Sequence, residues 1–284
     1  MMQGPDIGEV VLHHTADAWE WDFYPLGTIH FPRWPDIHIG SFTVNLSPTK
    51  HVYALFLAAL LVFLIMWYAG RVLKRQRAHE AAPKGFANAV EGVVLWVRND
   101  IAIANIGHDG ARFAPYIMTL FFLILTCNLM GLVPWGTSPT GNLAVTAALA
   151  ITAAATIKIG GMLKLGVGGY LRTIFPHVEG IHGPGAVAMS LAMAPIEILG
   201  KLVKPFALAV RLFGNMTAGH FVILSLFGII FLFGSLSVWN WGIGIATAAL
   251  VFGIMALELI VAFLQAYVFA LLTAVFIGLM QHEH

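Results

Sequence analysis

The chain has 284 residues, of which 59% are hydrophobic and only 10% charged. An ordinary soluble domain carries roughly a quarter charged residues, so this is a polytopic membrane protein. The net charge of +1 says nothing about nucleic acid, but no basic cluster of the kind that binds it is present, and the single cysteine, Cys127, excludes an intrachain disulfide.

Residues 1–51 set Asp6, Glu9, Asp17, Glu20, Asp22 and Asp36 against Arg33 and Lys50. Pro25, Pro32, Pro35 and Pro48 predict an irregular, extracytoplasmic segment there. Its opening Met-Met-Gln-Gly-Pro-Asp has neither the basic start nor the apolar core of a signal peptide. His13 and His14, near Trp19 and Trp21, fit an interfacial segment better than a metal site. The first predicted span is residues 52–70, an uncharged run long enough for a bilayer core of roughly 30 Å. Arg71, Lys74, Arg75 and Arg77 follow at once and mark the cytoplasmic end, which puts the N-terminus outside.

Over residues 84–106, Phe86, Val90, Val93, Val94, Val97 and Ile101 recur at helical spacing among polar residues. This pattern predicts an amphipathic helix on the cytoplasmic surface. The second and third spans are residues 115–135 and 143–165, joined by the outside loop Gly136–Asn142, which has no basic residue. Lys158, Lys164 and Arg172 return the chain to the cytoplasm, and residues 166–185 read as a loop there.

The last two apolar runs, Ala186–Phe233 and Trp241–Met280, are far longer than the roughly 20 residues a perpendicular span needs. No turn cluster divides either run. Each is expected to be one steeply tilted helix, over about residues 186–235 and 241–281. The domain organisation is thus an N-terminal segment, 1–51, and one membrane domain, 52–284. The membrane domain has five crossings and a cytoplasmic C-terminus.

Charge inside these runs is sparse. At about 100° per residue, Lys204, Glu197 and Asn215 fall within about 40° of Arg211, making one polar stripe. Arginine cannot neutralise itself by losing a proton, and in a bilayer centre it is unfavourable by roughly 3 kcal/mol on insertion scales. In the last run Glu258 and Gln265 share a face. Folding the two helices as an antiparallel hairpin sets Arg211 level with Gln265 and His220 level with Glu258. Both pairings place the turn near residue 238 or 239, inside the turn-like stretch Gly234–Gly242. A histidine and a carboxylate in a membrane cavity suit proton passage. Arg211 suits a fixed positive barrier.

The segment Arg-Leu-Phe-Gly-Asn-Met-Thr-Ala-Gly at 211–219 resembles the diagnostic stretch of subunit a of F-type rotary ATP synthases. Lys204-Pro205, Asn128-Leu-Met-Gly-Leu-Val-Pro134 and Leu264-Gln265-Ala266 carry the same resemblance, which extends over roughly residues 50–284. Some bacterial members have an acid where this chain has His220 and a histidine where it has Glu258. The exchange keeps one of each in the layer.

The resemblance implies a stator subunit beside a rotating ring of c subunits, each with a mid-membrane carboxylate. It also implies contact with b-type peripheral stalk subunits and a place in a bacterial inner membrane. Ions, with the proton as the expected species, would use two offset half-channels separated by Arg211. Asn215 and Gln265 would neighbour Arg211, His220 and Glu258 would line the outer path, and Glu197 would lie toward the cytoplasmic path.

Other readings compete residue by residue. Arg211 also fits a snorkelling arginine, His220 and Glu258 a structural hydrogen bond, Gln265 helix packing, and Glu197 an i, i+4 ion pair with Lys201. For the whole chain the alternatives are a self-contained secondary ion transporter, which would need an inverted repeat or ligand-shaped polar groups, and a scaffold subunit of a respiratory complex. No phosphate-cradling loop, nucleophile elbow or metal-ligand cluster is present, so neither a catalytic function nor a cofactor is expected.

Overall fold

The computed structural model describes residues 16–22, 27–39, 42–45, 47–78, 85–133, 136–175, 184–232 and 238–282. His13, His14 and the turn expected near residues 238–239 fall wholly or partly outside these segments. Five helices are long and apolar enough to cross a membrane, and they account for most of the chain.

The N-terminal segment differs from the irregular stretch expected of it. Strands β1 (Glu20–Asp22) and β2 (Thr28–His30) pair antiparallel, with Glu20 opposite His30. Strands β3 (Ile37–Ile39) and β4 (Phe42–Val44) form a second antiparallel pair. The prolines explain the punctuation rather than the absence of order. Pro32 and Pro35 separate the hairpins and Pro48 precedes the first helix, while β-branched and aromatic residues fill the strands.

Helix α1 (Lys50–Ala78) begins before the predicted span and runs on through its basic end to Arg75 and Arg77. Helix α2 (Phe86–Trp96) opens the predicted surface helix. It then widens into a π-helical stretch, Val97–Ile103, and closes as a short turn, Ala104–Ile106. Helix α3 (Gly110–Leu132) covers the second span, and a 3-10 turn, Pro139–Gly141, lies in the following loop.

Helix α4 (Leu143–Arg172) reaches beyond the predicted third span. Its backbone kinks at Gly166, whose φ of 72° favours glycine, and the helix resumes to Arg172. The first part of the expected 166–185 loop is therefore helical. Helices α5 (Pro184–Leu232, 49 residues) and α6 (Val238–His282, 45 residues) are each unbroken. Pro195 and Pro205 lie inside α5 without ending it, as membrane helices allow when neighbours re-satisfy the backbone.

The residues gather into two compact units, and every long helix contributes residues to both. One unit comprises residues 1–65, 123–145 and 212–265; the other comprises 66–122, 146–211 and 266–284. The second unit has an aromatic and aliphatic core. Trp96 stacks on Tyr267 at 5.5 Å between centroids and meets Phe121 edge-on at 5.9 Å. Gly278 on α6 lies against the Asn105 carbonyl, and a Cβ added there would sit 3.3 Å from Ile106 Cα. Only glycine permits that approach of α6 to the turn after the π-helical stretch.

Candidate functional site

In the first unit α5 and α6 present polar groups to one another at two levels. Asn215 Nδ2 donates to Gln265 Oε1 at 2.9 Å. Four residues further along α5, Gly219 holds the Glu258 carboxyl, so closely that a Cβ there would lie 2.6 Å from its Cδ. Residue numbers rise on α5 as they fall on α6, so within this unit the two helices run antiparallel. Glycine at 219 is what lets the carboxyl reach the helix backbone.

Glu258 and Gln265 are each only 4% exposed. Among the described residues, neither Glu258 oxygen has a hydrogen-bond partner, nor do His220 Nε2 and Gln265 Nε2. Glu258 packs on Gly219, the residue before His220, and no direct hydrogen bond joins the His220 and Glu258 side chains. Buried polar atoms left unpaired cost about 1–3 kcal/mol each. A cluster of titratable ones is a place where protons or water are handled.

The wall behind His220 is fully bonded. A Cβ on Gly131 of α3 would lie 2.6 Å from Ser138 Cβ and 2.8 Å from His220 Nε2, so these groups share one small space. Ser138 Oγ reaches the Cys127 carbonyl at 3.3 Å and Thr140 Oγ1 at 2.8 Å. Thr140 donates to Asn128 Oδ1 at 2.6 Å, and Asn128 Nδ2 donates to the Ala262 carbonyl at 3.1 Å. Ala262 is one turn from Glu258 on α6. The loop at 136–142, α3 and α6 are thus tied together by a buried chain of neutral hydrogen bonds that fixes where Glu258 sits.

In the second unit Arg211 is exposed and pairs with no acid among the described residues. It closes that unit's share of α5. Earlier on the same helix, Glu197 lies 3.4 Å from Lys201, the i, i+4 ion pair foreseen as the simpler reading. Lys201 Nζ also donates to the Thr173 carbonyl at 2.9 Å and to Thr173 Oγ1 at 2.7 Å. Lys204 Nζ stands 5.0 Å over the Phe276 ring. Glu197, Lys201, Lys204 and Phe276 line an open pocket together with Lys158, Tyr170 and Met280. Beyond the spans, Lys164 bonds Asp109 at 3.0 Å and holds that carboxyl below its ordinary range, by the hydrogen bond first and its charge second.

The residues singled out in the sequence thus fall into two groups. Asn215, Gln265, His220 and Glu258 belong to the first unit; Glu197 and Arg211 belong to the second. Sequence reasoning missed Ser138, Thr140 and His51 as buried participants. Asn128 was visible only as part of a motif. No group of three or more His, Cys, Asp or Glu side chains able to hold a metal occurs among the described residues.

The family described as ATP synthase A chain matches residues 51–278. "ATP synthase subunit a" of Chloroherpeton thalassium is 44% identical over 273 residues, covering 96% of this chain and 77% of that protein. "ATP synthase subunit a 2" of Chlorobaculum tepidum is 43% identical, covering 96% of this chain and 72% of its own. The subunit a of Anaeromyxobacter dehalogenans, more distant at 38%, still aligns over 96% of this chain. With the Arg211 segment, the buried α5–α6 layers and a match over most of its length, the chain belongs to the ATP synthase subunit a family.

Proposed function

We propose that this chain is the membrane stator subunit of a bacterial F-type rotary ATP synthase and conducts protons through two half-channels beside a rotating c-ring. The chain itself carries no catalytic site in this reading; ATP chemistry belongs to other subunits. The N-terminal segment faces the outside and the C-terminus the cytoplasm, with b-type stalk subunits holding the chain against rotation.

The observation that carries the reading is Arg211, an exposed guanidinium on a 49-residue apolar helix that pairs with no acid among the described residues. A permanent charge in that setting needs an external partner. A carboxylate moving past on a ring fits, because the guanidinium favours its ionised form and so drives proton release there. A free proton meanwhile is repelled, which keeps the two half-channels apart.

The remaining groups then take roles by their surroundings. Asn215, one turn beyond Arg211 along α5, bonds Gln265 on α6, and the pair holds the helices in register. Glu258 is buried and titratable with both oxygens unbonded among the described residues, and His220 has a buried, unbonded Nε2, as a proton path from the outside requires. Glu197 lines the pocket that would serve the cytoplasmic path. At about 1.5 Å per residue, α5 and α6 are each about twice as long as a bilayer core is thick, or more. Steep tilt would lay them along the curved ring.

The test is Arg211→Ala in the whole complex, reconstituted into vesicles. Assembly should persist, as judged by co-purification of all subunits, while proton-driven ATP synthesis disappears. Normal synthesis in an assembled R211A complex would refute the proposal.

A further inference from the structure

The N-terminal segment is anchored to the end of the first helix in a way the role of Glu258 and His220 does not explain. Lys50 N donates to the Ala18 carbonyl at 3.0 Å, and Phe31 stacks on Tyr53 at 4.1 Å. This brings Asp17 over the start of α1. Asp17 Oδ2 accepts from Asn142 Nδ2 at 3.0 Å. Its other oxygen, Oδ1, lies 3.9 Å from His51 Nε2. The Asp17 side chain is 39% exposed and the His51 side chain 5%, so the pair steps from solvent to interior.

The tautomer of His51 follows from its second contact. Nδ1 lies 3.2 Å from the Ser138 carbonyl. A carbonyl can only accept, so Nδ1 carries the proton and the neutral ring leaves Nε2 as a bare acceptor toward Asp17. On its far side the ring borders Ser138, whose Cβ shares its small space with His220 Nε2. His220 is close enough to act electrostatically on His51. The groups that face His51 are therefore Asp17 from the N-terminal segment, Lys50 from its own helix, Ser138 from the loop and His220 from α5. Asp17, His51 and His220 thus follow one another as titratable groups, and Glu258 lies against Gly219, the residue before His220.

We infer that Asp17 and His51 form the outermost station of the proton path, so that the N-terminal segment is part of the conducting machinery and not only an external cap. His51 accepts a proton from outside water on Nε2, and the Asp17 carboxylate offsets the charge of the resulting imidazolium. The ring then gives up its Nδ1 proton toward His220 and keeps the new one on Nε2, so it is neutral again as the other tautomer. One proton enters and one leaves, and a return to the Nδ1–H tautomer resets the ring for the next. The station rests on the proton-conducting role proposed above, and its test separates the two.

His51→Asn is the discriminating variant. The asparagine amide can donate to the Ser138 carbonyl as Nδ1 does, but it cannot titrate. In the intact complex, reconstituted into vesicles and followed with a pH-sensitive dye, H51N should assemble normally and conduct about tenfold more slowly, a loss on the lower side of what positioned acid–base groups contribute. Imidazole added on the N-terminal side should restore part of the flux of His51→Ala. Wild-type flux in H51N, failure of H51N to assemble, or no response of H51A to imidazole would each overturn the inference. With R211A run alongside, a silent R211A and a fully active H51N reject only the outer station. An active R211A rejects the conducting role and the station with it.

Discussion

In the first unit, Glu258 keeps both carboxyl oxygens buried and without a hydrogen-bond partner among the described residues. In the second, Lys201 commits its ammonium to the Thr173 carbonyl, the Thr173 hydroxyl and the Glu197 carboxylate. The first arrangement is unfavourable to the fold, since each orphaned group loses its hydration without compensation. The second holds a loop residue and a helix together. A pair of glycines repeats the contrast. Gly219 admits a carboxyl against its helix, whereas Gly278 admits a backbone carbonyl. On the proposed proton-conducting role, close approach and buried polarity serve proton handling in one unit and packing in the other. Substitutions should therefore divide between lost flux and lost stability according to the unit they strike.

The largest effect that would test this division is at Glu258. Glu258→Ala removes a buried, unbonded carboxyl, so the fold should not suffer, while proton flux through the assembled complex should fall about a hundredfold or more. A complex that unfolds or fails to assemble would show instead that the carboxyl is structural. His220 and Glu258 occupy neighbouring positions, so exchanging them (H220E with E258H) preserves one histidine and one carboxylate. That double variant should retain more flux than either H220A or E258A, measured in the same vesicles. A double variant worse than both would dissolve the idea of a shared layer.

The two glycines give a smaller and sharper comparison. Gly219→Ala places its Cβ on the carboxyl end of Glu258, a flexible side chain that can swing aside. Flux should drop about tenfold, with little change in thermal stability of the detergent-solubilised complex. Gly278→Ala places its Cβ on the backbone of Asn105, which cannot swing. The expected cost is about 1–3 kcal/mol of overpacking, read as a lower melting temperature. The comparison breaks if G219A is the less stable variant of the two.

What the amino-acid sequence revealed follows the same line. Arg211 and Glu258 were legible because a charge in an apolar run is locally anomalous. The pairings of Arg211 with Gln265 and of His220 with Glu258 came from matching the few polar residues available; the contacts seen are Asn215 with Gln265 and Gly219 with Glu258. His51 was hidden because it stands beside Lys50 at the end of a polar segment, where a histidine is ordinary. Only the long-range approach of Ser138 and Asp17 makes it buried. The hairpins β1–β2 and β3–β4 were hidden behind their own prolines, since three-residue strands leave little alternation to read. The π-helical stretch Val97–Ile103 has no periodic signature of its own. The surface helix was predicted as continuous because apolar spacing survives a local change of winding. The run of α4 beyond Gly166 was lost because a glycine with positive φ reads as a stop, although here the helix resumes.

The smallest expected effect decides what Glu197 is. Its carboxylate lies 3.4 Å from Lys201, with the side chain 38% exposed. An exposed i, i+4 pair contributes only a few tenths of a kcal/mol. Removing the acid leaves Lys201 its two bonds to Thr173, so the lysine stays in place. Glu197→Gln should therefore leave the melting temperature of the complex unchanged whichever role the residue has. Flux separates the roles. A pure ion pair predicts wild-type conduction. A carboxylate that lines the pocket with Lys158 and Lys204 offsets their charge, and its loss makes the pocket more positive and less hospitable to a proton. The expected result is a drop of about threefold, which lessens as salt is raised because screening weakens the excess positive potential. A salt-independent loss would point to direct proton transfer by Glu197, and no loss at all would leave it as the ion pair alone.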